Sequence, residues 1–135
     1  MNAATEFDLG PLTWVKGEID LALTRAVEAL VQHELNGDAT QLRFCRTHVH
    51  QVNGALSIVG LDGVTQVTES LEALLSALEE QRLQFTAEIS ITLTQAIAAI
   101  RKYLDDLVAG EPNQPLRLFL VYSVLATARG LSSCN

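Results

Sequence analysis

Residues Phe85 to Leu107 read FTAEISITLTQAIAAIRKYLDDL, and the choice between strand and helix for this stretch decides the fold class. Glu88 to Thr94 alternates apolar and polar side chains, the pattern of a half-buried strand. The longer spacing overrules it. Phe85, Ile89, Leu93, Ala96, Ile97, Ile100, Leu104 and Leu107 recur every three or four residues, over roughly four times the length of a mean strand. Thr86 stands where an N-cap belongs, so a helix is expected throughout.

The same period governs the sequence on either side. Leu12, Val15, Ile19, Ala22, Ala26 and Leu30 form one apolar stripe that Asn36-Gly37 ends. Asp38 then offers an N-cap with Gln41 three residues on, a capping-box arrangement, and Leu42, Cys45, Val49, Val52, Leu56 and Val59 form a second stripe that stops at Gly60. Asp62 is placed to cap a third helix with Val64, Val67, Leu71, Leu74, Leu75 and Leu78 on its buried side. After Gly110-Glu-Pro-Asn-Gln-Pro115, the proline suits the first turn of a last helix, Leu116 to Arg129, closed by Gly130. The tract from Leu116 to Ala128 is apolar enough to read as a buried helix and too short for a bilayer. The expected architecture is all-α: an antiparallel four-helix bundle with an additional packed helix.

A chain of 135 residues, 48% of them hydrophobic and 19% charged, fits one folded domain. Its net charge of -7 argues against nucleic acid, whose phosphates need a basic face, and disfavours anionic lipid, so neither nucleic acid nor direct membrane insertion is expected. The first ten residues, MNAATEFDLG, are acidic where a secretion signal is basic and then apolar, which makes a cytoplasmic setting the expectation. Two cysteines, Cys45 in an apolar stripe and Cys134 near the end, build neither a disulfide framework nor a metal knuckle. No phosphate-binding glycine loop, nucleophile elbow or zinc-protease motif is present, so no cofactor is expected.

Chemistry must therefore come from a spare set of side chains, and three histidines are available. His33 ends the first helix, where a cation complements exposed carbonyls. His48 and His50 lie two apart on the second, pointing about 200° from each other, which rules out a shared metal. At about 100° per residue, His48 falls roughly 70° and His50 roughly 130° from the middle of the apolar stripe. His50 is the exposed imidazole. Arg46, Thr47, Asn53 and Gly54 lie one turn away and Ser57 two, with Arg43 on the same face. Gly54 costs a helix about 1 kcal/mol relative to alanine, and it bares backbone beside His50 that another protein can approach. Trp14 and Lys16-Gly17 read as helix packing, although an exposed tryptophan could anchor a partner.

The run His50-Gln51-Val52-Asn53-Gly54-Ala55 resembles the H-x-x-K-G-x-A/S signature of histidine-containing phosphotransfer (HPt) domains, with Asn53 where the family has lysine. Longer strings, Leu12-Thr-Trp-Val-Lys-Gly-Glu-Ile19, Arg43-Phe-Cys45, Val49-His-Gln-Val52 and Gly110-Glu-Pro112, resemble the N-terminal domains of the large chemotaxis-like hybrid histidine kinases of type IV pilus systems, the ChpA/PilL group. The resemblance implies a phosphorelay module that takes a phosphoryl group on His50 and exchanges it with a receiver aspartate. Its implied partners are a response-regulator receiver domain and a histidine kinase catalytic domain. Gly54 would keep the docking face clear, Asn53 would hydrogen-bond where the family's lysine balances phosphoryl charge, Arg46 would supply part of the missing charge, and Arg43 and Ser57 complete the candidate binding residues. The domain has no ATP site of its own, and any Mg²⁺ would belong to the receiver. It further implies that residues 1–135 form a single HPt-like domain at the N-terminus of a longer polypeptide, acting in twitching motility. The alternative is a helical adaptor of the same signalling system that docks proteins without carrying phosphate, for which Asn53 is the main support.

Overall fold

The computed structural model describes residues 9–112 and 115–130. They form five helices: α1 (Leu9–Asn36), α2 (Ala39–Val59), α3 (Asp62–Glu79), α4 (Ala87–Val108) and α5 (Pro115–Ala128), with no strand among the described residues. The helical period outweighs local alternation in α4 because its buried residues, Leu93, Ala96, Ile97, Ile100, Leu104 and Leu107, must all face one core. Thr86 caps it as expected, its side chain accepting from the Ile89 amide at 3.1 Å.

Short links make neighbouring helices antiparallel. Gly37, at φ +69°, closes α1 by donating to the His33 carbonyl at 2.7 Å. Gly60, at φ +83°, closes α2 against Leu56, and the next amide, that of Leu61, bonds the same carbonyl. A residue with a Cβ is strained at either position, which is why glycine stands there. Two capping expectations need correction. Asp38 does cap α2, accepting from Thr40, but its own amide donates to Asn36 Oδ1 at 2.9 Å where a capping box would use Gln41. Asp62 is the first residue of α3 and not its cap, since the tight turn already lets the Leu61 carbonyl accept from the Thr65 amide and hydroxyl. There it still complements the helix dipole.

The four long helices form a ring in which α1 lies against α2 and α4, and α3 lies against α2 and α4. Leu12, Ile19, Leu23, Leu30, Leu56, Leu71, Leu74, Leu75, Leu93, Ile97, Ile100 and Leu104 are almost wholly buried inside it. Each full burial of a leucine or isoleucine is worth about 1.5–3 kcal/mol, so this core fixes the helical register. Polar ties reinforce the α1–α4 seam: Arg101 donates to the Asp20 carbonyl and to Thr24 Oγ1, and Lys16 bridges Asp20 and Asp105.

Helix α5 packs on α3 and α4 and makes no contact with α2. Gly63 permits its approach, since a Cβ there would come within 3.1 Å of Leu118 Cδ1. The expectation of a buried α5 fails. Only Leu118 and Leu125 are buried, whereas Leu116, Phe119, Leu120 and Val124 are each more than half exposed. A nearly all-apolar run reads as buried, but one helix packed on one side of a finished bundle can bury one stripe only. Trp14 is likewise not a packing residue, being 88% exposed. No described helix is long and apolar enough to cross a membrane.

Candidate functional site

Helices α2 and α3 form a hairpin about the Gly60-Leu61 turn, so residues equally far from that turn face each other across the seam. A ladder of polar pairs results. Arg43 and Arg46 donate through Nε to the two oxygens of Glu79, at 3.0 and 2.6 Å. Next along, His50 Nδ1 lies 2.9 Å from Glu72 Oε2. Asn53 Nδ2 then reaches Glu72 Oε1 at 3.5 Å, while Asn53 Oδ1 accepts from Thr68 Oγ1 at 3.1 Å. The Thr68 hydroxyl shares its proton with the Thr65 carbonyl at 2.9 Å.

His50 keeps 69% of its side chain exposed although one nitrogen is held. A carboxylate can only accept, so with a neutral imidazole the proton sits on Nδ1 and the Nε2 lone pair is left for reaction. Gly54 is exposed on the same ridge, and a Cβ added there would meet nothing within 4 Å. Packing does not require glycine at this position. Ser57 and Ile58 continue the ridge, Ile58 being 87% exposed. Of the residues singled out from sequence, Arg43, Arg46, His50 and Asn53 are drawn into one network with α3, and Gly54 and Ser57 border it.

The other two histidines are placed differently. His48 is half-buried in a groove against α1, with Nδ1 3.3 Å from Gln51 Oε1. His33 Nδ1 lies 3.0 Å from the Asp38 carbonyl, and its ring meets Phe85 edge-on with centroids 4.6 Å apart. Cys45 is fully buried, and burial pushes its thiol up to about 12, which removes it as a nucleophile. Cys134 lies outside the described residues. Among the described residues no group of three His, Cys, Asp or Glu side chains could hold a metal ion.

Glu72, Thr68 and Glu79 were not found from the sequence. The available signal was hairpin symmetry: with the turn at Gly60-Leu61, residue 68 falls opposite 53, and residue 50 falls opposite 71, next to Glu72. Glu79 is the charge centre beside the site. Hydrogen bonds from Arg46 and then Arg43 hold its carboxyl below the usual range, and the same bond holds the Arg46 guanidinium above its ordinary value. Stabilisation from a lowered carboxyl is complete above the ordinary carboxylate range and fades as pH falls through the lowered value. Glu79→Gln should therefore cost about 1 kcal/mol near neutral pH, the upper end for such ion pairs, and almost nothing in strong acid. Urea titrations of both proteins at the two pH values check this; an equal difference at both would exclude charge as the cause.

Residues 12–109 match the Hpt domain family, and the chain belongs to it. Its role is thus histidine phosphotransfer in two-component signalling, a family activity exercised with receiver domains and histidine kinases. The matched segment contains α2 and α3 and ends before α5. A search of the curated proteins found no match.

Proposed function

We propose that His50 is the phosphoacceptor and that a receiver aspartyl phosphate is its exchange partner. The observation that carries this reading is the Nδ1–Glu72 bond on an otherwise exposed ring. In the forward step the Nε2 lone pair attacks phosphorus, a P–N bond forms, the P–O bond to the aspartate breaks and the aspartate leaves as carboxylate. The proton stays on Nδ1. The ring becomes cationic as it bonds phosphorus, and the Glu72 carboxylate faces that developing charge. Mg²⁺ and ATP chemistry belong to the partners. Asn53 supplies hydrogen bonds but no cation, so Arg43 and Arg46 are the nearest residues of the network able to balance the phosphoryl charge. Their bonds to Glu79 use Nε, which leaves further donors on each guanidinium.

Residues 1–135 are, in this reading, one phosphotransfer domain of a longer hybrid kinase in a pilus-linked chemosensory pathway, on the strength of the sequence resemblance. Asn53 favours a second reading, a docking adaptor that carries no phosphate. The test is incubation with a phosphorylated receiver, followed by chemical and NMR analysis of the product. A phosphoryl group stable in alkali, lost in acid and bonded to Nε2 of His50 is expected. An unmodified chain that still binds the receiver would establish the adaptor.

The bare ridge gives a further expectation. Gly54→Leu adds a side chain into open space, so the fold should persist and the helix can gain up to about 1 kcal/mol. Transfer should fall by about tenfold or more, because displacement of the reacting atoms by even 1 Å is costly. Thermal melts and transfer rates measured on one preparation check both halves; unchanged transfer would put the receiver elsewhere.

A further inference from the structure

The outer face of α5 is the largest feature that the phosphotransfer reading leaves unused. Leu116, Phe119, Leu120 and Val124 are 67, 62, 56 and 53% exposed, and Ile91 of α4 continues the patch at 56%. At about 100° per residue, the four α5 side chains fall within one side of the helix, opposite buried Leu118 and Leu125. Beside this ridge runs an open groove between α4 and α5. One section, of about 720 Å³, lies between Thr86–Thr92 and Ser123–Ala128. A second, of about 220 Å³, is floored by Ala96 and bordered by Thr92, Gln95, Ala99, Leu120 and Val124.

We infer that this face is a two-fold dimer interface, in which the Leu116–Phe119–Leu120 ridge of one copy seats in the α4–α5 groove of a second copy of the chain. Three observations select that occupant. The face carries ridge and groove side by side, the self-complementarity that an isologous contact requires. It carries little charge: Ile89 to Ile100 and Leu118 to Ala128 contain no ionisable side chain except Tyr122, Arg117 is paired with Asp106 at 3.0 Å, and Glu88, in the first turn of α4, is the one carboxylate lining the groove. Two copies of net charge -7 repel over most of their surface, and this face lets them meet with Glu88 as the one acidic side chain each brings to the groove. A strongly charged partner would gain nothing here.

The area also fits. The exposed apolar side chains amount to on the order of 500 Å² per subunit, near the top of what an isolated monomer shows. Two-fold symmetry doubles this to on the order of 1,000 Å², the lower bound for a specific interface, so a dimer of modest affinity is expected. Helix α5 touches α3 and α4 while α2 touches α1 and α3, so both copies keep His50 open. The inference does not depend on His50 carrying phosphate.

Sedimentation velocity and light scattering of the 135-residue chain, from micromolar to near-millimolar concentration, test it. A concentration-dependent shift from monomer to dimer mass is expected. Phe119→Asp and Leu120→Asp should each leave the helical spectrum intact, because both side chains are exposed, and should raise the dissociation constant at least tenfold. Ile58→Ser, on the α2 ridge, should leave the dimer unchanged. A wild-type chain that stays monomeric throughout overturns the proposal and gives the face to another protein segment or, if the monomer binds neutral lipid vesicles, to a membrane surface. A dimer that survives both aspartate variants, or that Ile58→Ser dissolves, overturns it equally.

Discussion

His50→Gln is expected to abolish phosphoryl acceptance, while His48→Gln keeps most of it. The two imidazoles are two residues apart on one helix and differ in what surrounds them. His50 stands on the exposed rim of the α2–α3 seam with Nδ1 held by Glu72, whereas His48 is half-buried against α1 beside Gln51. Glutamine at position 50 can still donate to Glu72 but offers no nitrogen lone pair that forms a phosphoramidate, so the loss is of chemistry and not of structure. Both variants should stay within about 0.5 kcal/mol of the parent, the ordinary range for surface substitutions. Acid-labile phosphate after reaction with a phosphorylated receiver, together with a denaturation curve for each variant, is the measurement. Equal loss from both variants would remove the assignment to His50.

The exposure of His50 was legible in the sequence because it follows from an angle: a residue about 130° from the apolar stripe of a buried helix faces solvent. The helices of the bundle were legible for a related reason, since each apolar stripe demands a partner face and the links between neighbours are short. Two things were not. Helix α5 looked buried because most side chains in Leu116 to Ala128 are apolar, and composition alone cannot say how much of a helix its neighbours cover. The partners of the site residues were hidden because they depend on register between helices. Arg46, which looked free to meet a phosphoryl group, is bonded to Glu79, and Glu72 drew no notice as one of many surface glutamates. Position 53 shows the limit most clearly. Its asparagine reads from sequence as a missing charge, yet in the fold it links Thr68 to Glu72 and so braces the carboxylate that holds the histidine.

That bracing makes Glu72 the residue whose removal should cost most after His50 itself. A neutral imidazole has two tautomers, and only the one protonated at Nδ1 presents its lone pair at Nε2, the outward atom. The Glu72 carboxylate selects that tautomer, fixes the ring plane and faces the positive charge that the ring acquires as it bonds phosphorus. Glu72→Ala loses all three contributions. By analogy with partners that orient a functional histidine elsewhere, transfer should slow on the order of a hundredfold. Glu72→Gln keeps an acceptor oxygen and loses the charge, so its rate should fall between the two. Stability should change little, since the His50 partner is exposed and such a pair contributes about 1 kcal/mol or less. The readout that separates positioning from a merely structural role is ¹⁵N NMR of the His50 ring, which should show the Nδ1-protonated form in the parent and a mixture in Glu72→Ala. A Glu72→Ala protein that transfers at the parental rate, or whose ring nitrogens are unaltered, would reduce the 2.9 Å contact to an incidental surface pair and leave the reactivity of His50 without a protein partner.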